Sequence, residues 1–132
     1  MVTRILVIED NLTNLELMTY LLKAFGHTTI AAFDGEEGVE AALSSTPDLI
    51  LCDIALPKLD GYEVARRVKA EPTLKDIPLI AVTASAMVGD RDKVIAAGFD
   101  GYISKPITPE TFVAEVESFT RRKARHGDNP GC

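Results

Sequence analysis

The sequence predicts an α/β fold, a parallel sheet with helices on both faces. Five short apolar runs alternate with five segments of helical period, which is the pattern of repeated βαβ units. Four of those runs also end on polar residues. Glu9 and Asp10 follow Ile5-Leu6-Val7-Ile8, Asp53 follows Leu49-Ile50-Leu51-Cys52, Thr83 follows Leu79-Ile80-Ala81-Val82, and Lys105 follows Tyr102-Ile103-Ser104. If the runs are strands of one parallel sheet, all these polar positions fall on one edge, where open α/β sheets bind ligands.

Each element has its own signal. Residues 2 to 8 read as the first strand. Leu12, Leu15, Met18, Leu22 and Phe25 recur at spacings of three and four, so residues 11 to 25 form a helix with one buried face, stopped by Gly26. Residues 28 to 32 are a short second strand, and Asp34-Gly35 is a turn. Val39, Ala42 and Leu43 mark a second helix that ends near Ser45, before Pro47. Residues 48 to 53 are the third strand. A third helix spans 61 to 70, with Tyr62, Val64, Ala65 and Val68 as contacts, and Glu71-Pro72 breaks it. Residues 77 to 83 are the fourth strand, 90 to 97 a helix ended by Gly98, and 100 to 104 the fifth strand. Thr108-Pro109-Glu110 opens the last helix with proline in its first turn, and Phe112, Val116 and Phe119 face inward. Residues 1 to 123 are expected to be one domain. Residues 124 to 132, rich in Gly, Asp, Asn and Pro, are expected to be a disordered tail.

Composition narrows the function classes. A chain of 132 residues, 46% hydrophobic and 26% charged, suits one soluble globular domain. It has no apolar stretch long enough for a membrane span and no signal-like amino terminus, so a cytoplasmic location is the default. Two cysteines, Cys52 in a core strand and Cys132 at the last residue, make no disulfide framework. The net charge of −6 argues against a nucleic-acid surface, and the basic cluster Arg121-Arg122-Lys123 with Arg125 reads as a solvated helix end. His27 and His126 have no ligand partners at metal spacing and read as surface residues.

Three carboxylates, a hydroxyl and one long cation at one sheet edge suit a divalent metal and a phosphoryl group. The chain resembles the receiver domains of two-component response regulators. The residues that carry this are Ile8-Glu9-Asp10-Asn11, Asp53-Ile54-Ala55-Leu56-Pro57 with Gly61, Val82-Thr83-Ala84, and Gly101-Tyr102-Ile103-Ser104-Lys105-Pro106. Each motif alone is weak, but all of them in order, over roughly residues 3 to 120, are specific. Within the CheY-like superfamily the chain looks most like single-domain regulators of the DivK type. The resemblance implies a flavodoxin-like doubly wound sheet of five strands in the order 2-1-3-4-5. That order makes the first and third strands neighbours and places the fifth two strands from the third, within reach only of a long side chain.

The resemblance also implies roles. Asp53 is the phosphoacceptor, taking a phosphoryl group from a phosphohistidine on a sensor kinase or phosphotransfer protein. Mg²⁺ is held by Glu9, Asp10, Asp53 and the backbone carbonyl of Ala55. Thr83 and Lys105 contact the phosphoryl oxygens, and Lys105-Pro106 is a cis bond. Thr83 and Tyr102 form a switch read out on the face of the fourth helix, fifth strand and fifth helix, with Ala86, Met87 and Val88 in the loop between. The expected partner is a downstream protein rather than DNA or a membrane, and the chain is a signalling switch rather than an enzyme. A receiver domain cut from a hybrid sensor histidine kinase is an alternative with the same chemistry. An aspartyl phosphatase would carry a second Asp where Ala55 stands. A flavin module would need a Gly- and Ser/Thr-rich loop in place of Asp10-Asn11-Leu12-Thr13-Asn14.

Overall fold

A computed structural model describes residues 3–84 and 88–128. The elements alternate as β1 (Arg4–Ile8), α1 (Leu12–Ala24), β2 (Thr28–Ala32), α2 (Gly35–Ser45), β3 (Leu49–Asp53), α3 (Gly61–Ala70), β4 (Leu79–Thr83), α4 (Val88–Ala96), β5 (Gly101–Ser104) and α5 (Pro109–Asp128). All strand pairs are parallel, and the order is β2-β1-β3-β4-β5. This is the predicted architecture. α5 carries helical backbone to Asp128, into the stretch that composition assigns to a tail; residues 129–132 lie outside the described residues.

Side-chain alternation along the strands divides the core into two layers. Ile5, Val7, Leu49, Leu51, Ile80 and Val82 point to one face, where α1 supplies Leu15, Met18 and Leu22 and α5 supplies Phe112 and Val116. Leu6, Ile8, Ile50, Cys52, Leu79 and Ala81 point to the other, under Ala42 of α2, Val64, Ala65 and Val68 of α3, and Val94 of α4. Cys52 is therefore a small core hydrophobe, and its buried environment pushes the thiol pKa well up, with Asp53 and Glu9 adding to the effect.

Periodicity overcounted the buried positions. Leu12 and Phe25 are 56% and 64% exposed. Phe25 leaves the α1 stripe because it is the cap residue, not a helical one. After it, Gly26 takes φ +90°, with Gly26 N–H donating to Lys23 O and His27 N–H to Leu22 O, the Schellman pattern that ends a helix. That turn folds His27 inward rather than to the surface. Its Nε2 lies 2.8 Å from Glu117 Oε2 on α5, and its side chain is only 9% exposed.

Candidate functional site

The β1–β3 register pairs Ile8 with Cys52, so the next residues, Glu9 and Asp53, stand side by side at the carboxyl ends of their strands. The β3–β4 register pairs Asp53 with Val82, and β4–β5 pairs Thr83 with Ser104, which brings Thr83 and Lys105 to the same edge. Two main-chain bonds extend the ladder past the strand ends. Glu9 N–H donates to Ala32 O at 3.0 Å, and Lys105 N–H donates to Thr83 O at 2.8 Å. The backbone under both charged side chains is thus held as firmly as a strand.

Glu9, Asp53 and Thr83 are the buried polar or charged side chains among the described residues, and all three lie at this edge. Lys105 Nζ reaches across the sheet to Glu9 Oε1 at 2.9 Å and Asp53 Oδ2 at 3.1 Å. Asp53 Oδ1 accepts the Ala55 N–H at 3.1 Å, and Glu9 Oε2 accepts the Asn11 N–H at 3.1 Å. Asn11, not Asp10, caps α1, with its side-chain oxygen accepting the Asn14 N–H at 3.0 Å. The Lys105-Pro106 peptide is cis.

The electrostatics are those of an excess of negative charge under one cation. Burial raises the Glu9 carboxyl pKa, and the Asp53 charge adds to this, while Lys105 and the Asn11 amide pull the other way. For Lys105, burial favours the neutral amine, but its bonds to Glu9 and Asp53 outweigh this and the pKa moves up. The outcomes differ because Lys105 faces two carboxylates, whereas Glu9 shares its one ammonium with the neighbouring Asp53 carboxylate. Glu9 Oε1 faces the ammonium at ion-pair distance yet makes no hydrogen bond of good geometry.

Glu9, Asp10 and Asp53 can each offer a carboxylate oxygen, all within 4.8 Å of one another. Hard oxygen donors, a net negative site and a buried oxygen short of partners are what a Mg²⁺-type cation requires. Beside them opens a cleft of about 280 Å³ lined by Asp53, Ile54, Ala55, Tyr62, Thr83, Ala84 and Lys105. The structure thus brings Glu9, Asp10, Asp53, Thr83 and Lys105 to one edge, with Ala55 on its rim. Tyr102 stands apart, half-buried on the α2–α4 face of the sheet, opposite Ile103. Ala86 and Met87 lie outside the described residues, and Val88 opens α4.

Sequence reasoning read Tyr62 only as a core contact of α3. It lines the cleft because the loop between β3 and α3 turns back sharply. Gly61 N–H donates to Ile54 O at 2.8 Å, and a Cβ on Gly61 would sit 2.6 Å from both Asp53 O and Ile54 Cα. Only glycine fits there, and the next residue is delivered to the cleft wall. The glycine eight residues past Asp53 was the available signal.

The fold is of the doubly wound, flavodoxin-like class, with carboxylates, a threonine and a lysine gathered around one cleft at its strand ends. The comparisons give the family: a model described as response regulator receiver domain matches residues 5–117, and the chain belongs to that family. It is 41% identical over 115 residues to the polar-differentiation response regulator DivK of Brucella anthropi, covering 87% of this chain and 94% of that one. Among solved structures it is similar to the receiver domain of the sensor histidine kinase PA1611 from Pseudomonas aeruginosa, which has a magnesium ion coordinated in its active-site cleft. That match has a TM-score of 0.81 and 34% identity, covering 92% of this chain and 97% of that chain. The chemotaxis response regulator CheY4 of Vibrio cholerae shares the fold, with a TM-score of 0.86 at 23% identity, covering 89% of this chain and 98% of that chain. Among the described residues no helix is long and apolar enough to cross a membrane.

Proposed function

We propose that this receiver domain is a switch phosphorylated on Asp53 by a phosphohistidine of a sensor kinase or phosphotransfer protein. The observation that supports it is Lys105 bridging Glu9 and Asp53 at the floor of a cleft that also holds Thr83. An Asp53 carboxylate oxygen attacks phosphorus in line. The P–N bond breaks, its electron pair returns to the imidazole, and an acyl phosphate forms. Such a transfer depends on positioning and charge neutralisation. The Lys105 ammonium neutralises a phosphoryl oxygen, the Thr83 hydroxyl donates to another, and small Ala84 leaves room for the group. Glu9, Asp10, Asp53 and the Ala55 carbonyl would hold Mg²⁺, which when bound supplies positive charge to the transferring oxygens.

Phosphorylation adds about −1.5 to −2 charges at neutral pH. We read the output as a change in protein contacts on the α4–β5–α5 face, with Thr83 and Tyr102 as its moving parts and a cytoplasmic protein, not DNA, as target. The domain acts on its own phosphorylation state rather than turning over an external substrate. The curated DivK-type relatives, matched over almost their whole length, favour a free-standing regulator. The likeness to a receiver domain of a sensor histidine kinase supports a hybrid-kinase receiver as the second reading.

The test is transfer of labelled phosphoryl group from a phosphorylated histidine kinase, with and without Mg²⁺. Wild type should take up label only with Mg²⁺, and Asp53→Asn should stay folded and take up none. Stable label on Asp53→Asn would overturn the assignment. Melting with millimolar Mg²⁺ should raise the midpoint of wild type and not of Asp10→Asn.

A further inference from the structure

Two tyrosine rings on this face of the sheet, Tyr62 in the cleft and Tyr102 apart from it, each carry a cation from α4. Lys93 Nζ is 5.1 Å from the centroid of the Tyr62 ring, and the Arg91 guanidinium carbon is 5.3 Å from that of Tyr102. Residues two apart on a helix do not share a face, so the two cations reach different neighbours, α3 and β5. Tyr62 is half-buried. It lines the cleft together with Asp53, Thr83 and Lys105 and is held from outside by an exposed charge. Among the described residues, the remaining apolar side chains that line the cleft are half-buried Ile54 and the small, exposed Ala55 and Ala84. Among the described residues Tyr62 is therefore the aromatic wall beside Asp53, packed against the core on one side and covered by the Lys93 ammonium on another.

We infer that Tyr62 governs how much water reaches the acyl phosphate on Asp53, and that Lys93 is the positioning residue that keeps its ring in place, so that the pair sets the lifetime of the phosphorylated state. The inference deepens the reading of Asp53 as phosphoacceptor and rests on it. In the loss reaction a water oxygen attacks phosphorus opposite the aspartyl oxygen. The P–O bond to Asp53 breaks, its electron pair stays on the carboxylate, inorganic phosphate departs, and the proton of the water passes to solvent. In-line attack needs that water at the open side of the phosphoryl group, and the space there is limited by the Tyr62 ring. A cation over an aromatic face is an attraction of the ring's electrons, not of the phenol hydroxyl, so phenylalanine should serve as well.

The experiment charges the protein with phosphoramidate in Mg²⁺, removes the donor, and follows release of inorganic phosphate. Wild type, Tyr62→Phe, Tyr62→Ala and Lys93→Ala are compared, with melting curves to show that each is folded. Lys93 is exposed, so Lys93→Ala keeps the fold even if Tyr62→Ala does not. Tyr62→Phe should decay like wild type. Lys93→Ala should decay about two- to fivefold faster, in line with the worth of a surface cation–π pair, and Tyr62→Ala faster still. Unchanged or slower decay in Lys93→Ala overturns the inference, as does Tyr62→Phe decaying as fast as Tyr62→Ala. A wild type that takes up no phosphoryl group overturns instead the phosphoacceptor reading, and this inference with it.

Discussion

α3 and α4 stand on the same face of the sheet and meet where Lys93 lies over Tyr62, yet they are held very differently. α3 is capped by Asp60, whose Oδ1 accepts the Glu63 N–H at 3.0 Å, and it buries Gly61, Val64, Ala65 and Val68. Among the described side chains of α4 only Val94 is buried, and Ile95 is 52% exposed. The β1–β3–α3 side is built to hold carboxylates at fixed positions. Among its described side chains, α4 is fastened by one buried apolar anchor, Val94, and two surface cation–π contacts. Low local stability is where moving elements are drawn from. The difference therefore separates a tightly held wall from a loosely held one.

Four perturbations test this contrast, taken from the largest expected effect down. Lys105 spans the two sides. Lys105→Met should cost about 3 kcal/mol at pH 7 without divalent cation, the lower end of the range for breaking a buried ion pair because the ammonium keeps some solvent contact. Added Mg²⁺ should restore more stability to this variant than to wild type, as read by chemical denaturation. Gly61→Ala attacks the tight side alone. Its Cβ would collide with backbone at Asp53 and Ile54, so a loss of about 2–3 kcal/mol is expected, together with weakened Mg²⁺ binding by calorimetry. A variant as stable as wild type would mean that the β3–α3 loop is not rigid.

Val68 and Val94 are both almost fully buried and give a direct comparison. Val68→Ala should lower global stability by about 1–2 kcal/mol. Val94→Ala should lower it by less, about 0.5–1 kcal/mol, and should mainly speed amide exchange within α4. Equal effects on global stability and exchange would erase the distinction between the helices. The smallest expected signal is at Cys52. In a Cys132→Ser background its thiol should react with a disulfide reagent no faster than the protein unfolds, because it is buried and its pKa is raised. Fast labelling in the native state would show that the tight side opens.

The sequence made the strands and their ends legible because the chemistry sits where apolar runs stop. Glu9, Asp53 and Thr83 are each the first polar residue past a run, and Lys105 follows the last run, directly after Ser104. Strand order was not in the runs themselves; it came with the family resemblance. Helical spacing does not separate core from rim, so it places Leu12 and Phe25 inward although both are exposed. His27 was read as a surface residue because its partner, Glu117, lies 90 positions away and only the Schellman turn brings them together. Tyr62 escaped notice for a similar reason, since its place in the cleft depends on the path of residues 54 to 60 and not on its own position in the α3 stripe.

The two main-chain bonds beyond the strand ends, from Glu9 N–H to Ala32 O and from Lys105 N–H to Thr83 O, make chemistry and scaffold separately heritable. Any replacement except proline keeps them. Mutation can therefore exchange the ligands and the cation while the polypeptide beneath stays where it is. A fold with that property can diversify into many reaction timings, or lose the reaction and keep the binding face, without passing through unfolded intermediates in its history.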